Sequence, residues 1–115
     1  MDKVNLSDKF NLFTEHWSPK IVGELNGQLV KLVKFKGPFI WHHHDNEDEM
    51  FYVVKGELEH VVNGSSQILK PGMAGFVKPP DRVRHKTGPA GAKTVVVWVP
   101  GEEGRRLASR WKLVE

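Results

Sequence analysis

From Lys20 to Val99 the chain never keeps a helical period long enough to make a helix; it breaks into short Val-rich runs separated by turn residues. Runs of about 4–8 residues rich in β-branched side chains and bounded by Gly, Pro or Asn read as strands. They fall at Ile21–Leu25, Gln28–Phe35, Phe39–His44, Glu49–Lys55, Glu57–Val62, Ser66–Leu69, Gly75–Lys78, Val83–Lys86 and Lys93–Val99. Asn26-Gly27 and Asn63-Gly64 are two-residue hairpin signals, and Pro71-Gly72 breaks the chain again. No helical crossover is available to join parallel strands, so the expected fold is all-β, an antiparallel sandwich or barrel that hides most of its sheet edges.

Composition agrees with that reading. Val (15) outnumbers Leu (9), and 115 residues suit one domain. The expected organisation is a helical segment over 1–19, a barrel over 20–99 and a tail over 100–115. In the first segment Leu6, Phe10, Phe13 and Trp17 recur at helical spacing, with Ser7 placed to cap the first turn and Ser18-Pro19 to end the helix. In the tail, Leu107 and Trp111 lie four apart, which predicts a short helix with one apolar edge and makes Trp111 a candidate contact in a homodimer.

The absence of cysteine excludes disulfides and thiolate metal sites, which leaves six histidines as the soft ligands available. Lys and Arg (17) exceed Asp and Glu (14) by three, and no basic stripe or reading motif accompanies that excess, so nucleic acid is not an expected partner. No apolar run approaches the ~20 residues of a membrane span, and the N-terminus does not read as a signal peptide, so a cytoplasmic location is expected.

The chemistry concentrates in Trp41-His42-His43-His44-Asp45-Asn46-Glu47-Asp48-Glu49-Met50-Phe51-Tyr52-Val53. Side chains alternate across a strand, so His42 and His44 are expected on one face and His43 on the other. Glu49 shares its face with Phe51 and Val53, an inward face. A carboxylate inside a barrel is costly unless it is paired or bound to a cation, so Glu49 beside two imidazoles suggests a metal. In Arg82-Val83-Arg84-His85-Lys86, Val83 and His85 share the inward face, which makes His85 a fourth ligand. Three imidazoles and a carboxylate suit one divalent ion, Fe, Mn, Ni, Co, Cu or Zn, with positions left for water or substrate. His60, on one face with Leu58 and Val62, is a candidate for lining the pocket or moving a proton, and the bland alternative is a hydrogen-bonded core histidine. His16 and His43 are expected bystanders, Glu47 and Asp48 solvated turn residues, and Trp41, Phe51, Phe76 and Trp98 core aromatics.

The first stretch resembles the first motif of the cupin superfamily, H-x-H-x(4)-E-x(6)-G, at His42, His44, Glu49 and Gly56. The second motif is matched by Gly72, Pro80 and His85, but Arg82 stands where the family has a glycine that permits positive φ, and Pro89 stands at the asparagine position. The chain is thus similar, over about Lys20 to Val99, to small single-domain cupins of the mannose-6-phosphate-isomerase-like type. That resemblance implies a jelly-roll β-barrel (double-stranded β-helix) holding one metal. It names no substrate. Two functions follow as expectations: a metal-dependent enzyme, oxygenase or isomerase, acting on a small oxygen-rich organic substrate in an apolar pocket, or a non-catalytic module binding a small molecule or sugar with the metal structural or absent.

Overall fold

The turn at Asn63-Gly64 is the centre about which the whole sheet structure is arranged. Both residues take positive φ, 50° and 85°, as a type I′ hairpin turn requires, and they join β5 (Leu58–Val62) to β6 (Ser65–Leu69). Outward from that tip the pairing is nested. β4 (Glu49–Gly56) pairs with β7 (Ala74–Val77), β3 (His42–His43) with β8 (Arg82–Lys86), and β2 (Gln28–Phe35) with β9 (Ala92–Trp98), all antiparallel. One long hairpin is therefore coiled so that successive stretches alternate between two sheets, ordered β1-β2-β9-β4-β7 and β3-β8-β5-β6, with β1 (Lys20–Leu25) added at an edge. This is the jelly-roll β-barrel expected from the sequence. The computed structural model describes residues 3–38, 42–43, 48–79, 81–100 and 106.

The core lies between the sheets. Val33, Phe35, Phe51, Val53, Val77 and Val96 from one sheet meet Leu58, Leu69 and Val83 from the other. Burial of each such side chain contributes about 1.5–3 kcal/mol. β9 alternates buried and half-buried residues along its whole length, whereas β2 buries Leu32 as well as its neighbours Lys31 and Val33. Leu32 is covered on the outer face by Phe10 and Phe13, which is why β2 is buried on both faces there.

Phe10 ends an N-terminal helix shorter than the spacing predicts, and Phe13 follows it in the connecting segment. α1 spans Leu6–Phe10, and its N-cap is Asn5, whose side chain accepts the Asp8 N–H at 3.0 Å, rather than Ser7. Trp17 does not continue the helical face. Its φ is 61°, its backbone N–H donates to the Lys34 carbonyl at 2.8 Å, and its indole N–H donates to the Lys36 carbonyl at 3.1 Å. Beyond its pairing with β1, β2 offers those acceptors, and the ring stacks on Phe35 at 4.7 Å, half-buried against the inner core. Phe76 also departs from expectation. In β7 the inward positions are Gly75 and Val77, so Phe76 faces outward and is 62% exposed.

Of the tail, only Arg106 beyond position 100 lies among the described residues, and it is helical. The predicted helix edge of Leu107 and Trp111, and the homodimer contact through Trp111, lie outside the described residues, as does Trp41. Among the described residues no helix is long and apolar enough to cross a membrane.

Candidate functional site

β8 carries the alternation that the sequence predicts: Val83 and His85 are buried, and Arg82, Arg84 and Lys86 are exposed. His85 is 1% exposed, with its ring 5.4 Å from that of Phe35 and 4.4 Å from that of Phe51. In register beside it on β5 stands His60, 3% exposed, its ring 5.0 Å from that of His85 and 5.5 Å from that of Phe51. A side chain on Gly75, facing from β7, would bring a Cβ within 3.3 Å of His60 Nε2, so a residue without a side chain makes room for this imidazole. The two histidines and Phe51 thus form one aromatic cluster inside the barrel, a link that spacing alone did not provide.

Glu49 opens the inward face of β4 and is 7% exposed. Its Oε2 lies 3.6 Å from the Nζ of Lys31, an inward residue of β2 that is also buried, and the same ammonium sits 4.2 Å from the centroid of the Trp98 ring. Burial lowers the Lys31 pKa below the ordinary lysine value, and the Glu49 carboxylate acts in the opposite direction. Lys31 is the residue that the sequence reading missed. Its signal was the alternation of Leu29, Lys31, Val33 and Phe35 along β2, which places a lysine on an otherwise apolar inward face.

β3 holds His42 and His43. The register pairs His42 with Val83, which is buried, and His43 with Arg82, which is exposed. The side chains of His42 and His43, and all of His44, lie outside the described residues. Among the described residues no three His, Asp or Glu side chains converge on one point. The described half of the donor set suits a divalent cation by residue type: Glu49 is a buried carboxylate and His85 a buried imidazole on the inner wall, and the Lys31 ammonium is the cation that a metal would have to displace from Glu49.

The turn that delivers His85 is built without the family's glycine. Arg82 has no positive φ. Asp81 closes the turn instead: its Oδ2 accepts the Lys78 N–H at 3.0 Å and its Oδ1 accepts the Asn63 amide at 2.9 Å, while Asn63 Oδ1 accepts the Arg82 N–H at 2.9 Å. The hairpin tip therefore also holds the start of β8. These donors, first the Lys78 backbone and then the Asn63 amide, keep the Asp81 carboxyl below the ordinary aspartate range. A depressed folded-state pKa stabilises the fold above the unfolded value and ceases to do so as pH falls through the folded one. Asp81→Ala is accordingly expected to lower the melting temperature at pH 7, and the gap from wild type is expected to close as the pH drops below about 3.9. Thermal unfolding of both proteins across pH 2–7 checks this; a pH-independent gap would contradict it.

The family model described as Cupin domain (Cupin_2) matches residues 31–100. The structure is similar to that of a cupin-2 domain containing protein from Shewanella frigidimarina NCIMB 400, with a TM-score of 0.77 and 32% identity over 82% of this chain and 91% of that one. It is also similar in fold to protein NMB1881 from Neisseria meningitidis, with a TM-score of 0.77 and 24% identity over 86% of this chain and all (100%) of that one. Among curated proteins, uncharacterized protein YdbB of Bacillus subtilis (strain 168) is 46% identical over 37 residues, which are 32% of this chain and only 33% of that protein.

Proposed function

The chain belongs to the cupin domain family, and from that premise we propose that it binds one divalent metal through His42, His44, Glu49 and His85. The observation that carries this reading is a carboxylate and an imidazole, Glu49 and His85, both buried on inner walls of the barrel in a chain with the family's ligand spacing. The proposed ligand is a small organic molecule bearing two oxygens, such as a hydroxy acid or an enol. A bound divalent ion supplies Lewis-acid chemistry, stabilising negative charge that develops on a ligand oxygen.

The protein's own contribution is enclosure and positioning. Phe51 and Trp98 flank the site as large buried aromatics that exclude water, which strengthens electrostatic interactions inside. His60, its ring tilted against that of His85, is the group proposed to hold or move a proton at an imidazole nitrogen in a catalytic form of this reading. A second reading draws on the Lys31 ammonium 3.6 Å from Glu49: a cation already neutralises the carboxylate, as suits a binding module that works without metal.

Metal analysis of the purified protein, with melting curves under added Mn, Ni, Zn or Fe(II), tests the choice. About one ion per chain is expected, with a stability gain of about 2.7 kcal/mol at a hundredfold excess over Kd. His85→Ala and Glu49→Gln should both abolish the gain. No stoichiometric metal, together with an identical response in both variants, would reject the metal reading. Equal turnover by metal-loaded and stripped protein on a panel of diketones, hydroxy acids and catechols would favour the module.

A further inference from the structure

Away from the barrel interior, three lysines stand in one cross-strand row. Lys93 on β9 is directly opposite Lys34 on β2 and directly opposite Lys55 on β4. All three project from the outer face or rim: the neighbours Val33, Phe35, Ala92 and Thr94 are buried, Lys34 and Lys93 are half-buried, and Lys55 is exposed. Residues directly opposite in an antiparallel pair have Cβ atoms about 4.5–5.5 Å apart, and like charges placed there destabilise a sheet. Two such juxtapositions in succession break a local rule, and broken local rules concentrate at functional sites.

Among the described residues its positive charge is offset through the pull of Glu15 on Lys34, not by a paired carboxylate. Among the described residues no carboxylate forms an ion pair with Lys34, Lys55 or Lys93, and the nearby Glu15 is bound to Lys20 at 2.6 Å. The ammonium groups lean on neutral partners instead: Lys34 donates to the Phe13 carbonyl and lies 4.7 Å from the Phe13 ring centroid, and Lys93 lies 5.7 Å from that of Phe10. Partial burial and the adjacent Lys93 lower the Lys34 pKa, against the pull of Glu15. The same three lysines line a cleft of about 460 Å³, together with Thr14, His16 and Gly91. That volume lies within the range of about 300–1,000 Å³ typical of small-molecule sites.

We propose that this cleft, with Lys34, Lys55 and Lys93 arrayed along one wall, binds a small molecule carrying one or two phosphoryl groups. A phosphoryl group carries a charge of about −1.5 to −2 at neutral pH, and two or three clustered ammonium groups complement it. A concave cleft of limited volume suits a small anion better than a nucleic-acid strand or a membrane surface, which need an extended basic track. The site goes beyond the metal reading, because it shares no residue with the metal set.

Inorganic pyrophosphate, titrated calorimetrically at constant ionic strength into metal-loaded and EDTA-stripped protein, is the test. Saturable binding is expected in both forms, weakened about tenfold or more by Lys93→Gln and by the exposed Lys55→Gln. Without pyrophosphate, Lys93→Gln should melt at the wild-type temperature or above it, since it relieves repulsion. Absence of saturable binding, equal binding by the lysine variants, or binding that disappears on stripping the metal would overturn the proposal. So would lysine-dependent binding only to phosphatidylserine vesicles or single-stranded DNA.

Discussion

Lys31→Met is expected to destabilise the protein by about 3–5 kcal/mol, because it removes the cation set against a carboxylate that is itself out of water. The double variant Lys31→Met with Glu49→Leu should recover most of that loss. Replacing a whole buried ion pair with apolar groups of similar volume is often neutral or stabilising by about 1–4 kcal/mol, whereas removing one member leaves a buried charge. Urea unfolding of the two single variants and the double variant measures the coupling. The single variant carries a second readout. With the ammonium 3.6 Å from Glu49 removed, a divalent cation no longer competes with it, so added Zn or Mn should rescue Lys31→Met by more than it stabilises wild type. A loss under about 1 kcal/mol, or equal metal responses, would mean that the pair is not the electrostatic centre of the site.

Gly56→Ala is expected to cost about 3 kcal/mol or more, and for a reason the motif alone does not give. Gly56 has φ +84°, and a Cβ there would lie 2.3 Å from the Gly91 carbonyl oxygen and 3.0 Å from the Ala92 Cα. The left-handed backbone accounts for about 1–2 kcal/mol. Displacing backbone rather than a flexible side chain adds an overpacking cost of about 1–3 kcal/mol. Gly64→Ala is the control. Its φ is +85°, nearly the same, but nothing lies within 4 Å of its Cβ position, so it should show the backbone part alone. Chemical denaturation of both variants separates the parts, and equal losses would refute the clash at Gly91. The motif glycine of this chain is thus a close-approach residue between the end of β4 and the start of β9.

The barrel was legible because period-2 burial is local information. Val83 and His85 inward, with Arg82, Arg84 and Lys86 outward, can be read from five residues, and the structure keeps that alternation. Asn26-Gly27 and Asn63-Gly64 were legible for the same reason, since the turn type is written in the dipeptide. Contacts that depend on a distant strand were not. His60 meets His85 only because β5 and β8 are neighbours, and Lys31 reaches Glu49 across the intervening β9. Trp17 misled because the spacing from Leu6 through Phe13 does serve one cluster, yet the chain leaves the helix after Phe10 to hydrogen-bond along β2. Phe76 misled because an aromatic residue between two inward positions must face out, whatever its hydrophobicity.

The nested pairing also sets which order of strand pairing costs the least chain entropy. Formed first, the contact between Leu29 and Trp98 would close a loop of 69 residues (98 − 29), and the chain entropy lost rises with loop length. Zipped outward from Asn63-Gly64, each strand pair leaves the next only a short extra loop to close, so the least costly route begins at the hairpin tip and ends with β2 on β9. The residue at that tip, Asn63, is also the one that holds Asp81 and Arg82, so on that route the segment leading to His85 is drawn in before the outer strands close.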